Sequence, residues 1–182
     1  MAAPRAAVFA VLAVSTDGFQ LLGARPSDMP RTSTVCSSAS QPAAPKATVI
    51  FLRHGQSVWN EASLFAGWAD VELTTLGKNE AASAATRMWR EGFKIDVAYT
   101  SLLKRAEQTL DIVLKITGQE GVPVHHNWRL NERMYGGLTG LNKKETAAKY
   151  GADQVKLWRR SYDVPPPEID TSSQYYPGND NK

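Results

Sequence analysis

A chain of 182 residues with 42% hydrophobic residues can bury one core of ordinary size, and a net charge of +3 is too mild to make nucleic acid or a membrane its main partner. No Lys/Arg run reaches five, no apolar run is long enough to span a bilayer, and a lone Cys36 excludes disulfide staples and Cys-based zinc sites. The chain opens on Arg5 and a short apolar run, Ala6 to Val14, with the pattern of a signal peptide. The hydroxyl-rich, acid-poor stretch from Ser27 to Ser40 then has the composition of an organellar transit peptide. Residues 1–45 therefore read as a targeting leader into a plastid or mitochondrion, the alternatives being a disordered leader or a misplaced start. Without a working leader the expected location is the cytoplasm. The Pro/Ala stretch from Ser40 to Lys46 marks the boundary before the folded part, 46–182.

Val49–Leu52 is an apolar run with the residue types of a buried strand, and it ends in Arg53-His-Gly55. His54 can attack phosphorus, and Arg53 can grip phosphoryl oxygens in a planar fork. Gly55 removes a Cβ that would hold an anion away from the backbone, while Gln56, Ser57 and Asn60 carry donors for it. A Gly-containing loop with two aromatics follows at Leu64–Asp70. Ala81, Ala84, Ala85 and Met88 then fall at helical spacing within a helix from Thr75 to about Glu91, which Gly92 stops. Ile95–Tyr99 reads as a second strand. It leads into a helix with Leu103, Ala106, Leu110 and Val113 on one face, ended by Gly118. Val122–His126 is a short third strand, weakened by Pro123. Polar loops fill the stretch from Trp128 to Lys143, two helices are expected near Glu145–Tyr150 and Gln154–Tyr162, and Pro165–Pro167 breaks the second.

Strands alternating with helices predict an α/β fold with a mostly parallel sheet flanked by helices. In such sheets ligands gather beyond the carboxyl ends of the strands, so Arg53-His54 and Lys104-Arg105 share a rim. No cluster of His and carboxylates has metal-ligand spacing, so no metal is expected.

The motifs Arg53-His-Gly-Gln-Ser-Val-Trp-Asn60, Phe65-Ala-Gly-Trp68, Tyr99-Thr-Ser-Leu102, Arg105-Ala-Glu-Gln-Thr109, Trp128-Arg-Leu-Asn-Glu-Arg133 and Trp158-Arg-Arg-Ser161 make the chain similar to the cofactor-dependent phosphoglycerate mutases of the histidine phosphatase superfamily. The likeness runs almost continuously from about residue 47 to 180, and Trp-Arg-Leu-Asn-Glu-Arg is the mutase-specific part. The resemblance implies interconversion of 3-phosphoglycerate and 2-phosphoglycerate through a phosphohistidine, primed by 2,3-bisphosphoglycerate. It implies His54 as nucleophile and Glu132 as general acid and base, with Arg53 and Arg105 clamping the phosphoryl group. Gly55, Gln56, Ser57, Val58, Trp59, Asn60, Ala66 and Gly67 would build the cradle. Arg133, Met134, Tyr135, Lys143, Arg159 and Arg160 would meet the substrate's carboxylate and second phosphate. Two positions depart from the pattern: Ala66 where a hydroxyl or thiol often stands, and Met134 where His is common.

The expected partners are phosphorylated three-carbon acids, with neither nucleic acid nor membrane among them, and a homo-oligomer is compatible with the resemblance. The family's second phosphoryl-holding histidine has no counterpart, since no His follows His126. The chain thus reads as the N-terminal part of such a domain, incomplete at its C-terminus and a poor enzyme alone. The alternatives are a broad-specificity histidine phosphatase and a non-catalytic phosphometabolite-binding module.

Overall fold

The structure is a computed structural model that describes residues 6–12 and 47–179. Its described strands are β1 (Ala6–Leu12), β2 (Ala47–Arg53), β3 (Val97–Thr100) and β4 (Val124–His126). They form a wholly parallel sheet in the order β2-β1-β3-β4. The helices are α1 (Val58–Glu61), α2 (Thr75–Arg90), α3 (Lys104–Thr117), α4 (Lys143–Tyr150) and α5 (Ala152–Arg160). The fold is α/β, as the alternation of elements predicts.

The helical spacing places Ala81, Ala85 and Met88 of α2, and Ala106, Leu110 and Val113 of α3, in one core with Ile95 and Ala98. Ile50 and Leu52 of β2 and Val124 of β4 pack onto the same core, so α2 and α3 cover one face of the sheet. Strand alternation sends Val49, Phe51 and Tyr99 to the other face, where they are exposed. A second, smaller core joins Phe65, Tyr135, Leu138 and Val155 and holds α5 against the loops above the strand ends.

Caps explain the helix limits. The Thr74 hydroxyl accepts from Gly77 N at 3.0 Å and starts α2. Leu103 cannot cap α3 with its side chain, so Asp70 accepts from Lys104 N at 2.7 Å across the chain. Gly118, at φ 66°, ends α3 in the left-handed region that glycine enters without strain. The short helix α1 carries a reciprocal capping box between Ser57 and Asn60. That element is not anticipated from periodicity, because four residues carry no helical period.

The signal-like run is where the structure adds most. Ala6–Leu12 pairs in parallel with β2 on one side and β3 on the other, with Leu12 beside Arg53 and Val11 beside Thr100. An apolar segment with a strand's length meets two parallel strands whose backbone groups need partners. The remainder of the expected leader, residues 1–5 and 13–46, lies outside the described residues, as does the Pro/Ala boundary. β2 is left as an edge strand among the described residues, its other side unpaired.

Candidate active site

β2 delivers Arg53 and His54 to the rim, and the turn beyond them is built by close backbone approach. A Cβ on Gly55 would lie 2.1 Å from the Gly77 carbonyl oxygen, and one on Gly77 would lie 2.1 Å from that of Gln56. The glycine at 55 therefore makes room for the first turn of α2. Gly55 N donates to Thr109 Oγ1 at 3.2 Å, and that hydroxyl donates to Arg105 O at 2.7 Å within α3. Gln56 N donates to Glu80 Oε2 at 2.8 Å, and Thr74 Oγ1 donates to Gln56 Oε1 at 2.9 Å.

His54 is almost fully buried, and its Nδ1 lies 2.6 Å from Gly55 O. A carbonyl only accepts, so Nδ1 carries the proton and the lone pair sits on Nε2. Burial drives the His54 pKa down to about 3, with Arg105 and Arg53 adding to the effect and the Gly55 bond opposing it. At neutral pH the ring is uncharged and nucleophilic.

Glu132 has the opposite displacement. Burial raises its carboxyl pKa even though Arg105, Arg53 and Lys143 pull it down. The fully buried Arg105 donates from Nη2 to Glu132 Oε2 at 3.0 Å and to Gly67 O at 2.7 Å, and from Nη1 to Ala69 O at 2.9 Å. Its Nε is buried with no hydrogen-bond partner among the described residues. Trp68 Nε1 donates to Glu132 O at 2.9 Å and fixes the backbone that carries the acid.

A cleft of about 490 Å³ lies over this group, lined by Arg53, Gln56, Asn60, Ser63, Ala66, Glu80, Glu132, Tyr135, Lys143, Lys144 and Arg159. Four of these side chains are cationic, a composition that suits a small polyanion. Lys143 has its pKa lowered by burial and by Arg159 and Arg53, with Glu132 opposing. Burial likewise lowers the Arg53 pKa. A larger cleft, about 700 Å³, is lined by Trp59, Trp68, Asp70, Lys104, Trp128 and Tyr175 among others. It is lined by neither Arg53 nor Glu132, whereas the smaller one is lined by both, so the smaller one is the candidate for the chemistry.

Several expected site residues have other partners here. Arg133 donates to the carbonyls of Ser161 and Val164, at 2.8 and 3.0 Å, tying down the chain beyond α5. Arg160 lines a neighbouring cleft with Lys143, Lys156 and Arg159. Ser57 and Asn60 bind one another in the capping box, with Asn60 Oδ1 accepting from Ser57 N and Oγ at 3.0 Å each. Val58 is exposed, Trp59 meets Tyr175 edge-on at 5.3 Å, and Met134 does not line the 490 Å³ cleft. Gly67 contributes its carbonyl to Arg105. Ala66 is buried at the cleft floor, and Tyr135 packs on Phe65 at 5.2 Å. Thr109, Glu80 and Asp70 are supporting residues that the sequence reading passed over. For Thr109 a signal existed, because it stands one helical turn from Arg105.

Among the described residues no helix is long and apolar enough to cross a membrane, and no group of three or more His, Cys, Asp or Glu could hold a metal ion.

The chain is similar in structure to a mycobacterial glucosyl-3-phosphoglycerate phosphatase in complex with VO3, at 30% identity and TM-score 0.54 over 63% of this chain and 52% of that one. A protein described as mycobacterial hydrolase 1 matches at 29% identity and TM-score 0.54, over 63% of this chain and 50% of that one. A phosphoglycerate mutase from Bacillus anthracis shares the fold at 24% identity and TM-score 0.50, over 58% of this chain and 48% of its own. The chain thus spans about half the length of the solved structures it matches. The sequence profile of the histidine phosphatase superfamily, branch 1, matches residues 49–176. With that match over most of its length, and with a buried neutral histidine at the end of its second strand, the chain belongs to the histidine phosphatase superfamily, branch 1.

Proposed function

We propose that this domain carries the phosphoryl-transfer half of a phosphoglycerate mutase, interconverting 3-phosphoglycerate and 2-phosphoglycerate through phospho-His54. The observation that carries the reading is that a neutral, buried His54 and a Glu132 whose carboxyl pKa is raised by burial share Arg53 and Arg105 as charged neighbours, with Glu132 lining a cleft rich in cations. Two titrating groups pushed apart in this way divide the work of nucleophile and acid.

In the forward half-reaction His54 Nε2 forms the N–P bond as the P–O ester bond breaks. Glu132 gives its proton to the leaving oxygen. In the return half-reaction the neighbouring hydroxyl of the substrate attacks phosphorus, its proton goes to Glu132, and the N–P bond breaks. Arg53 and Arg105 offset charge on the equatorial oxygens, where most of it gathers. Lys143, Lys144 and Arg159 fit the carboxylate and second phosphate of a three-carbon acid, and the same cations suit 2,3-bisphosphoglycerate. When bound, that molecule supplies the phosphoryl group that charges His54.

A phosphatase is the second reading, favoured by the likeness to the mycobacterial glucosyl-3-phosphoglycerate phosphatase. In it, water takes the phosphoryl group from His54, with Glu132 accepting the water's proton.

The test is to incubate the chain with radiolabelled 2,3-bisphosphoglycerate, then with 3-phosphoglycerate. Acid-labile label on His54 that moves to 2-phosphoglycerate supports the mutase. Label that leaves as inorganic phosphate supports the phosphatase. Absence of label on His54, at the same level as in His54→Ala, would overturn both.

A further inference from the structure

One three-residue segment touches both members of the Arg105–Glu132 pair. Ala69 N donates to Ala66 O at 2.9 Å and closes a turn whose second residue, Gly67, stands at φ 52°. Glycine enters that region without strain. A Cβ on Gly67 would lie 3.1 Å from Tyr135 N and 3.3 Å from Arg133 O, so the turn rests against the chain just after Glu132. The turn aims three groups. Gly67 O and Ala69 O accept from Arg105 Nη2 and Nη1, at 2.7 and 2.9 Å, while the Trp68 indole between them donates to Glu132 O at 2.9 Å. Asp70 then fastens the segment to the start of α3, accepting from Lys104 N at 2.7 Å, one residue before Arg105. The stretch that leads into Glu132 is tied down as well: Asn131 Oδ1 accepts from Leu102 N at 3.1 Å, and the Trp128 ring lies 6.0 Å from that of Trp68.

Two carbonyls hold the cation, and the indole N–H between them holds the acid. The 3.0 Å contact of Arg105 Nη2 with Glu132 Oε2 is therefore set twice, once directly and once through residues 67–69. The direct ion pair loosens when an anion competes for the guanidinium. The route through the turn depends on the charge of neither partner, so it keeps Glu132 in place while its proton leaves and returns. We propose that residues 67–69 are a clip that fixes the spacing of Glu132 and Arg105 through the reaction, with Trp68 the positioning residue for the acid. The catalytic meaning of the clip rests on the reading of Glu132 as acid and base, whereas the geometry it maintains does not. Trp68→Phe keeps an aromatic ring but removes the donor to Glu132 O. The acid then drifts from Arg105, which keeps both of its carbonyls. Drift weakens the charge that favours the ionised carboxyl, so the Glu132 titration moves to higher pH. Arg53 of β2 and Lys143 of α4 also bear on Glu132, and the substitution replaces neither.

The test is an NMR titration of the 182-residue chain with isotope-labelled glutamate carboxyls, Glu132 being the signal lost in Glu132→Gln. In Trp68→Phe its midpoint should rise by about one pH unit, the low end of what a neighbouring guanidinium commands. Trp89→Phe, at a tryptophan of α2 that is 62% exposed, should leave the midpoint where it is. Vanadate affinity should not weaken in Trp68→Phe, because Arg105 stays held. The rate of His54 phosphorylation from 2,3-bisphosphoglycerate should fall by about 10²-fold, the cost of misplacing a reacting group by about 1 Å. A folded Trp68→Phe with an unmoved Glu132 midpoint would overturn the proposal. So would a loss of vanadate binding as large as the loss of rate, which would make Trp68 a general support of the cleft. If Trp68→Phe does not fold, the parent decides: its Trp68 indole N–H signal should follow the Glu132 titration, and a flat signal would overturn the clip. An unlabelled His54 in the parent would sink the proposed reaction and leave the midpoint measurement to judge the clip by itself.

Discussion

Arg105 and Glu132 hold each other at 3.0 Å before any anion enters, and this sets the proton inventory of the site. Burial alone favours a protonated Glu132, and the Arg105 charge is the main influence keeping it ionised. A phosphoryl oxygen that engages Arg105 shares that charge, so anion binding should be accompanied by proton uptake at Glu132. Titration calorimetry of vanadate binding near pH 6.5, in buffers of different ionisation enthalpy, should show uptake by the parent and none by Glu132→Gln. Equal enthalpies in all buffers for the parent would contradict it. The same substitution keeps the shape but removes the titrating proton, and should lower turnover by roughly 10²–10⁴. Unchanged turnover would move the acid role to another group. His54 gives a stability prediction with a definite sign. Its folded pKa of about 3 lies below the ordinary 6.5, so between those values the unfolded chain binds the extra proton. Stability is then complete above about pH 6.5 and falls as pH drops toward 3, by up to ~1.4 kcal/mol per pH unit from this one group. Urea midpoints of the parent and of His54→Asn, measured from pH 7 to pH 4, should show the steeper loss in the parent.

Between elements, the contact of the Gly55-Gln56 turn with the start of α2 allows no side chain on either partner. Gly77→Ala should push α2 away from the His54 loop and cost about 1–3 kcal/mol or more in denaturant unfolding, by overpacking against backbone. Full stability in that variant would show that the turn can shift without penalty. Thr109→Val tests the other anchor. It leaves Gly55 N, in a buried turn, without its acceptor and should cost about 1–3 kcal/mol, while Thr109→Ser should restore most of it. These supports also show what was legible in advance. His54, Arg53 and Glu132 stood out because their chemistry sits in short runs of sequence. The faces of α2 and α3 stood out because Ala81, Ala85, Leu110 and Val113 repeat at the helical period. Glu80, Asp70 and Thr109 did not, because each serves a backbone N–H that only the folded chain brings near: Gln56, Lys104 and Gly55. The carbonyl contacts of Arg133 were hidden for a related reason. No motif announces that the carbonyls of Ser161 and Val164, about thirty residues along the chain, will accept from the Arg133 guanidinium.

For the molecule as a whole, the strand formed by Ala6–Leu12 is the least expected feature and the one with the widest consequences. It is paired along both sides, so a proline at Phe9 removes a ladder donor that has no exposed edge to turn toward. Phe9→Pro should lower unfolding stability by about 3 kcal/mol, and a denaturation curve identical to that of the parent would show that the sheet closes without this strand. The placement also orders events during synthesis. A ribosome releases Ala6–Leu12 first, yet Val8 pairs with Val97 as well as Val49, so the earliest strand waits for one of the latest. At cellular elongation rates of about 5–20 residues per second, the nascent chain carries this apolar segment unpaired for roughly 5–20 s. Pairings so distant along the chain also form slowly once the residues are available. During that interval the segment is open to any factor that captures emerging apolar peptides, and afterwards it is locked in the middle of a sheet. Capture and closure thus compete for the same seven residues, and the speed at which residues 47–100 emerge decides the winner.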